Sequence, residues 1–216
     1  MLCGCCDSGQ EVEELKEVST LPILVPELRE GTESRKAAPS HGTFSVAIPM
    51  KGHISFGVKL DVTDTAVGPM IIDIQSGAVT SFNDRNPSQA IQIWDTIAEL
   101  EDAKGMVAVY EKMNGPLPET VRMTLRRPRQ LNAMLSKKDG PLGVLLDYKP
   151  SSVGSLISSV KESGLVAKWN KEHPEDALST GDRILKINGK MPTGDAIIQE
   201  IKNAGDLNLT VLKFAQ

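Results

Sequence analysis

Aromatic residues are scarce: two Trp, two Tyr and four Phe in 216 residues. Aliphatic packing must therefore carry most of the stability of any core. Cysteine is confined to Cys3, Cys5 and Cys6. No thiol is left to staple the body as a disulfide framework, which suits a reducing compartment. The histidines are His41, His53 and His173, and none stands near a serine or cysteine in a nucleophile-elbow pattern. No zinc-helix motif and no dinucleotide glycine fingerprint occurs. Gly189-Lys190 ends something like a phosphate loop, but the earlier glycine that loop needs is Ile184. Asp182 and Glu175 read as turn and helix-end residues. The expectation is a chain that is not an enzyme, with no catalytic residue, metal, cofactor or small-molecule substrate.

Long apolar runs are also missing. No stretch of about eighteen apolar residues is present, and the N-terminus lacks the apolar segment of a secretory signal, so a cytoplasmic location is expected. Net charge is small. Residues 1–41 hold eight acidic and four basic residues, leaving twenty of each in the remainder. A neutral body excludes the clustered Lys and Arg of a nucleic-acid footprint. The one compact basic run, Arg126-Arg127-Pro128-Arg129, reads as a solvated linker.

What is present is a repeat. Displacing the chain by 87 positions pairs Gly77 with Gly164, Val79 with Val166, Phe82 with Trp169 and Asn83 with Asn170. It also pairs Pro87 with Pro174, Ala90 with Ala177, Asp95 with Asp182 and Ile97 with Ile184. Ungapped matches at such constrained residue types mark an internal duplication. Two small domains are expected, over residues 43–127 and 130–214, after a disordered tail over 1–42 with its Cys cluster.

Each copy opens on an alternating strand, Phe44-Ser45-Val46-Ala47-Ile48 or Leu131-Asn132-Ala133-Met134-Leu135. An apolar run broken by glycine follows, with Gly57 equivalent to Gly143, and then a third strand. A Ser-Gly turn opens a short amphipathic helix in which Val79 and Phe82, or Val166 and Trp169, share a face. Residues 181–189 predict a glycine-led turn, a strand and an Asn-Gly turn. Ile197, Ile198 and Ile201 stand at helical spacing before Gly205, and an alternating strand closes the copy.

This order, with Gly181-Asp182-Arg183-Ile184-Leu185-Lys186-Ile187-Asn188-Gly189 and Pro141-Leu142-Gly143-Val144, resembles a PDZ domain. The first copy shares the resemblance through the repeat, although Trp94-Asp95 replaces Gly-Asp and the Ile-Asn-Gly end is altered. The resemblance implies an α+β fold: two tandem PDZ-like domains, each a small, partly open β-barrel or sandwich of five to six strands capped by two helices. It also implies a groove in which backbone amides of the glycine-bearing loop take a partner's terminal carboxylate while its peptide adds a strand. Carried over, the peptide-binding residues are Leu142, Gly143, Val144, Leu146, Ile198 and Ile201, with Lys137 or Lys138 adding charge. Plain core packing is the competing reading of the apolar ones. The first-copy counterparts are Phe56, Gly57, Val58, Val109 and Met113, and with the turn altered that groove is expected to be misshapen or closed. Thr193-Gly194-Asp195 stands where many members start the helix with histidine, so no preference for a ligand hydroxyl is implied.

The functional expectation is an adaptor that binds the C-terminal tails of other proteins. Cys3, Cys5 and Cys6 read as reversible S-acylation sites giving peripheral attachment to a cytosolic membrane face, or as incidental thiols of a disordered end, or as a soft-metal site lacking a fourth ligand. The alternative is a structural or regulatory subunit whose grooves take no free peptide termini: either a structural protein whose grooves are filled by its own tail, with the apolar segment at residues 21–28, or by the neighbouring unit, or a regulatory subunit of a membrane enzyme or transporter.

Overall fold

The computed structural model describes residues 41–63, 68–150, 152–193 and 195–214. The tail and its cysteines lie outside the described residues, as does the apolar segment at 21–28. The described residues all belong to one compact unit, which holds both repeats.

In the first repeat the order is β1 (Gly42–Pro49), β2 (Val58–Asp61), β3 (Met70–Ile74), α1 (Ala78–Arg85), β4 (Thr96–Leu100), β5 (Ala103–Lys104), α2 (Met106–Asn114) and β6 (Thr120–Arg127). The second repeat continues with β7 (Arg129–Ser136), β8 (Val144–Asp147), β9 (Ser155–Val160), α3 (Leu165–Glu172), β10 (Arg183–Ile187), α4 (Asp195–Asn203) and β11 (Asp206–Lys213). Strands run β1-β6-β4-β3-β2 in the first sheet, with β5 beside β4, and β7-β11-β10-β9-β8 in the second. Both are open sheets with flanking helices rather than closed barrels. In each, the strand after the glycine-bearing loop, β2 or β8, is an edge.

Alternation decides which faces pack. Val46 and Ile48 of β1, with Val121, Met123 and Leu125 of β6, point inward on one core with Ile71, Val79, Phe82, Ile97 and Val109. Leu131, Ala133 and Leu135 of β7, with Leu207, Leu209 and Val211 of β11, do the same with Ile157, Val166, Ile184 and Ile197.

The residues matched in the repeat are the ones that hold this shape. Asn83 donates through Nδ2 to the Ile91 carbonyl and accepts from the Ile91 amide, both at 2.8 Å. Asn170 clamps Leu178 the same way, again at 2.8 Å on both sides. Asp95 accepts from the Gln92 amide, and Asp182 from the Ser179 amide, each at 2.8 Å. A cation at the end of the last strand then reaches that carboxylate. Arg127 donates to Asp95 at 2.8 and 2.7 Å and to the Ala90 carbonyl at 2.6 Å. Lys213 donates to Asp182 and to the equivalent Ala177 carbonyl.

Three expectations change here. Arg127 is not solvated: it is buried with Asp95 and lies over the Phe44 ring at 4.8 Å. No linker separates the repeats, because β6 ends at Arg127, β7 begins at Arg129, and only the buried Pro128 stands between. Trp94 does not abolish the turn before β4, since it takes φ +80°, the left-handed conformation that Gly181 holds at φ +93°.

The repeats also pack on each other. Met70, Ile72 and Trp94 of the first meet Val153, Leu185, Leu212 and Phe214 of the second in an apolar cluster. On β10, Ile184 and Ile187 face their own core, whereas Leu185 belongs to this interface and Arg183 pairs with Asp61 of the first repeat. The second repeat alone would expose that face.

Candidate functional site

Each edge strand is entered through a loop whose carbonyls are used up on one side. In the first repeat the Ser55, Phe56 and Gly57 carbonyls accept from the Ala78, Val79 and Gln75 amides at 3.2, 3.0 and 2.7 Å. In the second, Pro141, Leu142 and Gly143 accept from Leu165, Val166 and Lys161 at 2.9, 3.1 and 2.9 Å. A trans peptide points its N–H opposite its C=O. The amides of Phe56, Gly57 and Val58, and of Leu142, Gly143 and Val144, therefore point away from these acceptor contacts. Among the described residues the amides of Phe56, Gly57, Leu142 and Gly143 donate to no protein group. Such consecutive donors form a concavity suited to a carboxylate.

The glycines have a packing reason of their own. A Cβ on Gly57, at φ +73°, would lie 2.7 Å from the Ser76 carbonyl oxygen, and one on Gly143, at φ +78°, 2.4 Å from that of Ser163. Gly77 and Gly164 supply the facing backbone. Only glycine pairs allow this approach, and the loop amides are fixed by it.

The second groove brings the expected apolar residues together. Leu142, Val144 and Leu146 from the loop and β8, and Ile198 and Ile201 from α4, are half-buried on one cluster, with Ile197 beneath them fully in the core. Lys137 is not available to a ligand there: its ammonium donates to the Ile201 and Lys202 carbonyls at 2.6 and 2.7 Å, capping α4 at its negative end. Lys138 is exposed. Beside the groove's other end, a hydrogen bond to the Asp195 carboxylate pushes the Tyr148 hydroxyl pKa up. This contact ties the residue after β8 to the first residue of α4.

The first groove is open, contrary to expectation. It is a cavity of about 1010 Å³ lined by the loop, by Val58, Lys59 and Leu60 of β2, and by Tyr110 and Met113 of α2. Gly57, Val58 and Met113 stand where the repeat placed them, and Phe56 is buried at the cavity wall. Val109 does not line it. It is fully buried in the core, the equivalent of Ile197, and Tyr110 takes the place of Ile198. The spacing held the signal: Ile198 and Ile201 are three apart, as are Tyr110 and Met113, whereas Val109 and Met113 are four apart. Lys51, the counterpart of Lys137, is exposed, lines this cavity and makes no ion pair among the described residues. His53 and Glu119 add polar lining, and Ile54 stands fully exposed at the rim.

No group of His, Cys, Asp and Glu among the described residues could hold a metal ion, and no described helix is long and apolar enough to cross a membrane. No family model matches the sequence, and neither does any curated protein. Among solved structures, the chain is similar to the INAD PDZ45 complex with NORPA CC-PBM at 18% identity and a TM-score of 0.35, covering 85% of this chain and 97% of that one. It is similar also to INAD PDZ45 bound to NG2 peptide, at 17% identity and a TM-score of 0.34, covering 86% and 95%.

Proposed function

We propose that the chain is a non-enzymatic adaptor of two PDZ-like repeats that captures C-terminal peptides of other proteins. The observation that carries this is the pair of glycine-bearing loops, each aiming consecutive unpaired amides along an edge strand beside an apolar helix face. A free carboxylate satisfies the amides, the peptide backbone pairs with the edge strand, and its last side chain enters the apolar cleft. The first groove is the better receptor. Its cavity is open and its Lys51 is free to meet the carboxylate, whereas Lys137 is spent on α4. Tyr110 and Met113 give it a wide, adaptable wall suited to a large apolar terminal residue.

The test uses the full chain, since the repeats share an interface. Short free-acid peptides and amidated twins are titrated against the parent, Met113→Asp and Ile201→Asp. Free-acid binding lost on amidation, and weakened more by Met113→Asp than by Ile201→Asp, supports the reading and the ranking. Attachment through acylated Cys3, Cys5 and Cys6 is a separate proposal, motivated by the cysteine cluster alone. It is checked by thioester-selective labelling of the cell-expressed protein, with loss of label expected when all three become serine.

A further inference from the structure

Strand β2 is the wall of the first groove onto which a peptide would pair, and its last residue is held by the other repeat. Asp61 is buried. Its Oδ1 accepts from the Thr63 amide at 2.9 Å and from the Thr63 hydroxyl, within its own repeat. Its Oδ2 accepts from the Val153 amide at 3.0 Å and from Arg183 at 3.1 Å, both in the second repeat. Arg183 is also buried and donates to the Val153 carbonyl at 2.7 Å. The backbone at Val153 is thus bound on both sides. Val153 in turn makes an isolated antiparallel bridge with Thr193, whose carbonyl accepts from the Ala196 amide at 3.1 Å in the first turn of α4. Helix α4 carries Ile198 and Ile201 of the second groove.

An edge strand of four residues with a bulge between Lys59 and Leu60 is a weak ladder by itself. A fixed end keeps its outward amides and carbonyls in register for an added strand. We infer that Arg183 and the Val153 amide are positioning groups for the first groove: the second repeat sets that groove's affinity for ligand by holding the end of β2 through Asp61. The inference rests on the peptide-binding reading above. Replacing Arg183 leaves the Asp61 carboxylate buried without its cation, so the end of β2 must shift toward water. By linkage, a peptide strand paired on β2 tightens the same clamp, and the bridge to Thr193 carries that effect to α4.

The experiment uses the full chain in an Ile201→Asp background, which leaves the first groove as receptor. The probe is a pool of short free-acid peptides ending in Leu, Ile, Val or Phe, with the amidated pool as blank. Arg183→Met is expected to weaken binding about tenfold, within the usual range of site coupling, and to speed amide exchange at Lys59 and Asp61 without ligand. Asp61→Asn, which keeps the shape, is expected to move both readouts the same way and covers the case in which Arg183→Met fails to fold. Ile187→Val, in the second repeat's own core, lowers stability without touching the Asp61 contacts and should leave both unchanged. Affinity within twofold of the background chain and unchanged β2 exchange in the arginine and asparagine variants overturn the inference alone. A background chain that binds no free-acid peptide overturns it together with the reading beneath it.

Discussion

Replacing Arg127 by leucine tests whether the basic run between the repeats is structural. Arg127 forms a two-pronged pair with Asp95 at 2.8 and 2.7 Å, donates to the Ala90 carbonyl at 2.6 Å and covers the Phe44 ring. Both side chains are almost wholly buried, at 4% and 1% exposure. Leucine fills part of the volume but leaves a carboxylate in the core without its cation, the Gln92 amide still donating to it. Removing one partner of a buried pair costs about 3–5 kcal/mol. At a urea dependence of about 2 kcal/mol per molar, that lowers the unfolding midpoint by about 2 M. Arg126, on the exposed face of the same strand, should change stability by less than about 0.5 kcal/mol when cut to alanine. Arg127→Lys should recover at least half of the loss, because Lys213 fills the equivalent position against Asp182. Urea unfolding followed by Trp fluorescence reads all three. An Arg127→Leu midpoint within about 0.3 M of the parent, or one equal to that of Arg126→Ala, would refute the argument.

Gly143→Ala should destabilise more than Gly189→Ala by about 1 kcal/mol or more, although both have φ +78°, because its Cβ meets the Ser163 carbonyl while that of Gly189 meets nothing; equal thermal shifts would contradict this. Asn170→Ala strips both partners from the Leu178 peptide and should cost about 1–3 kcal/mol, with the same result for Asn83→Ala at Ile91; denaturant midpoints check both. Burial pushes the Asp61 carboxyl up, but hydrogen bonds from Thr63 and Val153 and the charge of Arg183 outweigh it and hold the group below the ordinary value of 3.8. A depressed carboxylate contributes stability above its unfolded pKa and loses it as pH falls through the folded one. Stability should therefore drop below about pH 4, and Asp61→Asn should flatten that part of the profile in acid titrations of the melting temperature.

Much of the fold was legible because the duplication falls on residues with a geometric duty. Asn83 and Asn170, Asp95 and Asp182, and Gly77 and Gly164 each serve the backbone, so a shift of 87 positions exposes the scaffold twice. The alternating strands were legible for the same reason: one face is buried. What stayed hidden depends on contacts between residues far apart in the sequence. Arg183 and Leu185 sit in an alternating strand whose outer face reads as solvent until the first repeat covers it. Arg127 lay in a run of like charges, and only the fold brings Asp95 to it. Trp94 was misleading because left-handed backbone at a tryptophan is rare. Here its ring is held in the interface cluster, which offsets the strain. In the site, the loop glycines and the Ile198–Ile201 spacing pointed to the second groove, whose apolar residues do share one cluster, whereas the open first groove was not expected. No local pattern reveals that Lys137 caps a helix while Lys51 does not.

Carboxylate capture by the loop amides is tested by titrating the full chain with free-acid peptides and their amidated twins while amide exchange is followed. Free-acid binding should vanish on amidation, with protection at Gly57, Val58 and Leu60 and weaker protection at Gly143 and Val144. Equal binding of the amidated twins, or no binding of any free acid, would contradict it.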